Sequence, residues 1–493
     1  MRPQGDILAF DFGASSGRCI AGRLEGDSLE IETIHRFENR PVRLNGRFHW
    51  DILGLYREIL EGLIIHRRDF GRMVRSLAVD TWGVDYGLIG KDGRLLSNPY
   101  HYRDSRTDGI PEKLFTLVSE DELYAAGGIQ MMSINTIFQL FAEREENREL
   151  FESARAVAMT PDLLNYFLTG KLRSEVSIAS TSALVDPRKR DWNWRLIEKL
   201  GYPARLFTPV IQPGKELGPV SADVEAFTGL SGTRVFATCS HDTQSAIAAV
   251  PAERGEFIYL SSGTWSLMGV EADEPVLSPR AAELGFTNEI GAGGKISLLS
   301  NIMGLWLIQE CKRIWEREGR AFDYSRLVEM AEAELSFGTL INPMDRRFTA
   351  PENMPEEIRD AAAETGQEVP RNEGQTACCI FRSLALVYRR TMEGIEELTG
   401  KQYPVIHIVG GGVRNRLLCR MAAEATGRPV VAGPAEATAL GNIIVQAAGQ
   451  GLIPDLAAGR RLVASTVKPE TYIPGKRRGW DEAYRRFCRL YPE

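Results

Sequence analysis

No stretch of about 18 consecutive apolar residues occurs in this chain, so no segment reads as a membrane-spanning helix. Cysteine is scarce: seven in 493 residues, an odd number scattered through apolar segments such as Phe236-Ala237-Thr238-Cys239. Such cysteines read as buried thiols of a reducing compartment, and the adjacent Cys378-Cys379 fit no zinc spacing. Excess charge is also small. A net charge of −7 argues against a surface built from Lys and Arg to hold nucleic acid. Two common nucleotide motifs are missing. No Gly-x-x-x-x-Gly-Lys-Ser/Thr loop is present, and no Gly-x-Gly-x-x-Gly follows a strand, which sets aside the commonest phosphate loop and a dinucleotide enzyme. Asp6 and Asp11 interrupt the first apolar run, so no signal peptide is expected. These absences together predict a cytoplasmic protein with no nucleic-acid and no membrane partner.

What is present is ordinary globular composition, 43% hydrophobic and 25% charged, in a chain too long for one core. Two large domains follow, divided near Pro251 to Gly255, where Pro251 stops an apolar helix. The chain is organised around Ile7-Leu8-Ala9-Phe10-Asp11-Phe12-Gly13-Ala14-Ser15-Ser16-Gly17-Arg18. A buried strand runs into a small-residue turn and out into a second apolar run. Such a turn leaves its backbone open, and its amides and hydroxyls can converge on an anion. Asp11 at the strand end can hold a hydrated divalent metal, and Arg18 adds a fixed positive charge. The alternative is a tight hairpin with a solvated Asp.

A similar pattern restarts the second half. Phe257-Ile258-Tyr259-Leu260 enters Ser261-Ser262-Gly263-Thr264-Trp265-Ser266, with Gly263-Thr264 falling on Gly13-Ala14 and Ser266 on Ser16. Near the end, Val405-Ile406-His407-Ile408-Val409 breaks at Gly410-Gly411-Gly412, and a helix follows from about Arg416. Glycines there let a flat ligand lie against the backbone. Elsewhere, Asp80-Thr81-Trp82-Gly83-Val84-Asp85 reads as a strand ending in polar and aromatic groups. Ser177-Ile178-Ala179-Ser180-Thr181-Ser182 reads as a buried turn. Asp242 in Ser240-His241-Asp242-Thr243 falls between a strand end and a helix start, where the helix dipole favours its ionised form. Asp242 also suits a helix N-cap, as does Asn301 before an apolar helix.

Taken in order, the Asp-x-Gly turn, the Gly-Thr turn and the Gly-Gly-Gly-x-x-Asn turn resemble the actin, sugar-kinase and chaperone ATPase superfamily. Over nearly its whole length the chain is similar to the FGGY family of carbohydrate kinases. Tyr102-Arg103-Asp104-Ser105-Arg106 resembles that family's Trp-x-Asp-x-Arg segment, with Tyr replacing Trp. Leu168-Thr169-Gly170 resembles its middle region, and Glu436-Ala437-Thr438-Ala439-Leu440-Gly441 its late helix.

The resemblance implies an α/β fold of two actin-like, ribonuclease-H-like ATPase domains facing each other across a catalytic cleft. Residues 1–250 would form the N-terminal domain, with sugar and phosphate binding and the catalytic base. Residues 251–493 would form the ATP-binding C-terminal domain and an extension. The implied activity is ATP-dependent phosphorylation of L-rhamnulose on O1. A neighbouring ketose such as L-fuculose, or a non-catalytic nucleotide switch, stand as alternatives. Asp242 would be the base. Gly83, His241, Asp242, Thr243 and Asn301 would line the ketose site. Ala14, Ser15, Ser16, Gly17, Arg18, Thr264, Gln309 and Gly411 would bind ATP, and Asp11 would orient magnesium through water. The implied partners are the ketose and ATP, for a monomer or small homo-oligomer.

Overall fold

The computed structural model describes residues 5–26, 28–252, 256–475 and 478–492. The chain divides into two compact units. The first comprises Met1–Ala249, Glu271–Leu298 and Ala437–Thr466; the second comprises Val250–Val270, Leu299–Glu436 and Val467–Glu493. The expected single division after residue 250 therefore differs from the observed one. The chain returns to the first unit at Glu271 and again at Ala437. Residues 253–255, part of the expected boundary, lie outside the described residues.

In the first unit, β1 (Asp6–Phe12), β2 (Ser16–Glu25), β3 (Ser28–Glu38), β4 (Val74–Thr81), β5 (Glu216–Pro219) and β6 (Arg234–Phe236) form one sheet in the order β5-β6-β4-β1-β2-β3. β1 pairs antiparallel with β2 and parallel with β4; β4 pairs parallel with β6, and β6 antiparallel with β5. Every residue of β1 is buried, which explains its continuous apolar run, since a strand covered on both faces cannot alternate. Leu8, Phe10 and Phe12 pack in one core with Ile59 and Leu63. Those two lie on the helix Ile52–Ile65, whose start is capped by the Asp51 carboxylate accepting from the Gly54 amide at 2.9 Å.

In the second unit, β7 (Ile258–Ser262), β8 (Trp265–Ala272), β9 (Ile296–Met303), β10 (Ile406–Val409), β11 (Val430–Ala432) and β12 (Glu470–Tyr472) run in the order β9-β8-β7-β10-β11-β12. β7 pairs antiparallel with β8 and parallel with β10; β10 is parallel to β11, and β11 antiparallel to β12. The internal repeat read from two short turns thus extends to the order of six strands and the sense of these four pairings, although the second sheet carries a seventh strand. Its register shifts by one. The first turn spans residues 13–15, and the second only residues 263 and 264. Phe12 pairs with Gly17 and Ser262 with Ser266, so Ser266 stands at the place of Gly17, not of Ser16.

Among the described residues no helix is long and apolar enough to cross a membrane. All seven cysteines are free thiols, six of them buried. The segment expected as a buried turn is buried, but only Thr181 and Ser182 form a turn; the residues before them belong to the short helix Val176–Ser180. Glu175 caps it, accepting from the Ser177 and Ile178 amides at 2.9 and 3.1 Å, and this satisfies donors that a turn would have left to water.

Candidate active site

The ends of β1 and β4 place Asp11 beside Asp80 in parallel register. Arg18, opposite Asp11 on β2, donates to its Oδ2 through Nε at 2.9 Å and Nη2 at 2.6 Å. Burial, and the neighbouring charges of Asp11 and Asp242, push the Asp80 carboxyl well above the ordinary range, against an Asn442 hydrogen bond of 2.5 Å. The turn before β2 is pinned by Asn39, whose side chain donates to Gly13 O at 3.0 Å and whose amide donates to Ser15 O at 3.1 Å. Ala14 is half-buried, and Ser15 and Ser16 are exposed. Gly17 is buried, and a Cβ on it would sit 2.2 Å from the Phe37 ring, so no side chain fits there and only its backbone is available.

Gly83 belongs to a loop that is fixed on all sides. Val84 after it lies at φ +67°, a left-handed conformation rare for a β-branched residue. Thr181 Oγ1 accepts its amide hydrogen at 3.0 Å, and Thr136 Oγ1 donates to its carbonyl at 2.6 Å. Asp85 is fully buried, and its Oδ2 accepts from the indoles of Trp50 at 2.6 Å and Trp82 at 2.9 Å. Trp82 packs on Trp50 with centroids 3.9 Å apart, which makes it a core residue. Backbone strain held by so many bonds is characteristic of a functional loop.

His241 caps the helix Asp242–Ala248, and Asp242 is its first residue, not its N-cap. The Thr243 amide donates to Asp242 Oδ1 at 2.6 Å. Burial and Asp11 push the Asp242 carboxyl up to about 6, although the His241 charge and the Thr243 bonds act the other way. The expected dipole effect is thus outweighed by desolvation. The segment before it is anchored from below: Ser240 N donates to Glu175 Oε2 at 2.9 Å and His241 N to Ser177 Oγ at 3.2 Å.

In the second unit, the Gly263-Thr264 turn carries the start of the helix Trp306–Arg317, since Leu305 N donates to Gly263 O and Trp306 N to Thr264 O. One turn into that helix, Gln309 Oε1 accepts from Thr264 Oγ1 at 3.2 Å, so these two candidates meet. Asn301 is on β9, not at the helix start, where Leu305 is the cap. The three glycines after β10 differ. A Cβ on Gly410 would meet Ser262 O at 3.0 Å and one on Gly412 Ser262 Oγ at 2.0 Å, whereas one on Gly411 meets nothing within 4 Å. Gly411 is the exposed member that leaves open space before it.

Residues 7–249 match the N-terminal domain, and residues 258–449 the C-terminal domain, of the FGGY family of carbohydrate kinases. The chain belongs to the FGGY family of carbohydrate kinases. It is 43% identical to the rhamnulokinase of Bacteroides thetaiotaomicron over 484 residues, 98% of either chain. It is 41% identical to the rhamnulokinase of Oceanobacillus iheyensis over 465 residues, 94% of this chain and 97% of that one. The crystal structure of gluconate kinase from Lactobacillus acidophilus superposes with a TM-score of 0.82 at 15% identity, covering 99% of this chain and 97% of that one. The fold is the mixed α/β, two-domain fold of the actin-like ATPases, and the chain is a sugar kinase. FGGY kinases are ATP-dependent, which generally calls for a divalent metal.

Reading motifs along the chain missed three groups of this FGGY site. Glu175 carries Ser240, Asp85 carries the two indoles, and Glu289 holds His241 through a 2.7 Å bond to Nδ1. Asp85 ends a segment already singled out. Glu175 and Glu289 carry no motif in their sequence neighbourhoods, and only the folded chain brings them in.

Proposed function

We infer that this kinase transfers the γ-phosphoryl group of ATP to O1 of L-rhamnulose, giving L-rhamnulose 1-phosphate and ADP. The carrying observation is the near-full-length match to two rhamnulokinases. Asp242 is the base, accepting the hydroxyl proton as the bond to phosphorus forms. Gly83, His241, Thr243 and Asn301 bind the ketose. Ala14 to Arg18, Thr264, Gln309 and Gly411 bind ATP. Among the described residues no group of three His, Cys, Asp or Glu side chains could hold a metal by itself. Asp11 offers one buried carboxylate, which suits magnesium, an ion that keeps waters and takes phosphate oxygens. Asp11 would hold magnesium, which when bound would neutralise phosphate charge. ADP release measured over a panel of ketoses and polyols tests the substrate. L-rhamnulose should give the highest kcat/KM. A preference of more than about tenfold, or ~1.4 kcal/mol, for glycerol, D-xylulose or gluconate would contradict it.

Two further outcomes follow from the geometry. Asp242 works only as a carboxylate, and its folded pKa lies above the usual range, at about 6. Protonation as pH falls through about 6 should therefore remove activity, giving kcat/KM an acid limb there. A pH profile flat down to the ordinary carboxylate range would contradict the role. Gly411→Ala puts a methyl into open space, so it should leave the melting temperature unchanged and raise KM for ATP about tenfold through lost approach to the backbone. Gly412→Ala meets Ser262 and should lower stability instead. Equal effects of the two on stability would contradict the assignment.

A further inference from the structure

We propose that Glu289 is a positioning residue for the phosphoryl transfer, gripping the His241 ring at Nδ1 so that its Nε2–H is a fixed donor beside Asp242. The proposal rests on the reading of Asp242 as the base. Glu289 lies on the strand Phe286–Ile290 and is buried. Its Oε2 accepts from His241 Nδ1 at 2.7 Å and from Gln244 Nε2 at 2.9 Å. Gln244 is fixed in turn, its Oε1 accepting from Ser297 Oγ at 2.7 Å. Both ends of the Glu289–His241 pair hang on one helical turn. Ser177 Oγ accepts from the His241 amide at 3.2 Å, and Ser180 Oγ from the Ile290 amide at 3.1 Å.

The far side of the ring faces the base. His241 Nε2 stands 3.5 Å from Asp242 Oδ1, close enough for charge attraction and too long for a direct hydrogen bond. A hydroxyl oxygen can sit beside the pair within hydrogen-bond distance of both atoms, accepting from Nε2–H while it gives its own proton to Asp242. Only a ring with hydrogen on both nitrogens does this. Nδ1–H is required by the Glu289 carboxylate, which accepts only, and Nε2–H then needs the imidazolium form. The surroundings favour that form. Burial opposes the cation, but Glu289, Asp242 and Glu175 outweigh it and push His241 up to about 9. Glu289 is held correspondingly low, against its own burial. The charged groups facing Asp242 are His241, which favours its carboxylate, and Asp11, which opposes it. Asp80 is itself pushed up by burial, Asp11 and Asp242.

Glu289→Gln tests this, because the amide oxygen still accepts from Nδ1 while the charge is lost. A neutral ring then turns an acceptor, not a donor, toward the hydroxyl. In the full-length protein without substrate, nitrogen-15 NMR should show the wild-type His241 ring doubly protonated up to pH of about 9, and in Glu289→Gln titrating about two units lower. The basic limb of kcat/KM should move down with the ring by about two units, since a neutral ring cannot donate to the hydroxyl. kcat/KM for the ketose should fall about tenfold at pH 8, where about one variant ring in ten keeps both protons, with ADP affinity unchanged. Glu289→Asp should restore the charge and part of the rate. A wild-type His241 that is neutral at pH 7 overturns the proposal without any variant. So does a Glu289→Gln enzyme that folds with an unmoved pH profile. If instead the wild-type ring titrates as stated and no ketose is phosphorylated, the functional reading fails and the transfer role with it. The two failures are thereby told apart.

Discussion

Asp242→Asn is expected to lower kcat by at least ~10²–10⁴-fold, the usual worth of a general base, with ATP binding nearly intact. The amide keeps the size of the side chain, and its oxygen still accepts from the Thr243 amide, a 2.6 Å bond in the native chain. Only the capacity to take a proton is removed. The stability sign separates lost chemistry from lost fold. Burial raises the folded pKa of Asp242 to about 6, above its unfolded value, so the ionised carboxylate weakens the fold, fully so at pH above about 6. Removing the charge should leave the melting temperature at pH 7.5 at or above that of the native enzyme. Turnover, nucleotide affinity and melting are to be measured on one preparation. Near-native turnover would take Asp242 out of the mechanism.

Gly441→Ala should be the most damaging of the small substitutions outside the site. In the helix Ala437–Gly449, a Cβ at 441 would fall 1.7 Å from Ser245 O and 2.6 Å from Ser245 C. Both are backbone atoms of the helix that begins with Asp242. No rotamer change relieves the overlap, so the two helices must separate. Overpacking of this kind costs ~1–3 kcal/mol or more, and a displacement of about 1 Å at a catalytic group costs ~10²-fold in rate. Both a lower melting temperature and a lower kcat are expected. Gly479→Ala is the control, since nothing lies within 4 Å of its Cβ. If Gly441→Ala melts and turns over like Gly479→Ala, the close approach does not hold the Asp242 helix.

The strand–turn–strand openings were legible because buried strands read as short apolar runs bounded by small polar residues. The family followed from their order. The same local patterns misplaced details that depend on longer range. The second turn is one residue shorter than the first, which apolar runs cannot reveal, so Ser266 was matched to Ser16 instead of Gly17. Asn before an apolar run suits a helix cap, but β9 extends through Met303 and Asn301 lies on it. The Ser177–Ser182 segment looked like a turn because its helix is capped by Glu175, a residue just outside the segment considered. Asp242 was assigned a dipole-lowered charge state, whereas its burial, a property of the fold, decides the direction. Glu289 lies 48 residues from His241, and nothing in its own surroundings marks it. The two returns of the chain to the first unit are also unmarked by any linker composition. They bring Glu289 of the Phe286–Ile290 strand to His241 and set the Ala437–Gly449 helix against the Asp242 helix.

The central claim is transfer of phosphate from ATP to one hydroxyl of one ketose, and phosphorus NMR of the reaction mixture tests it most directly. With L-rhamnulose, ATP and magnesium, a single phosphomonoester resonance coupled to the C1 methylene protons should grow in step with ADP. Inorganic phosphate appearing alone, or a phosphomonoester coupled to any other carbon's protons, would contradict the account.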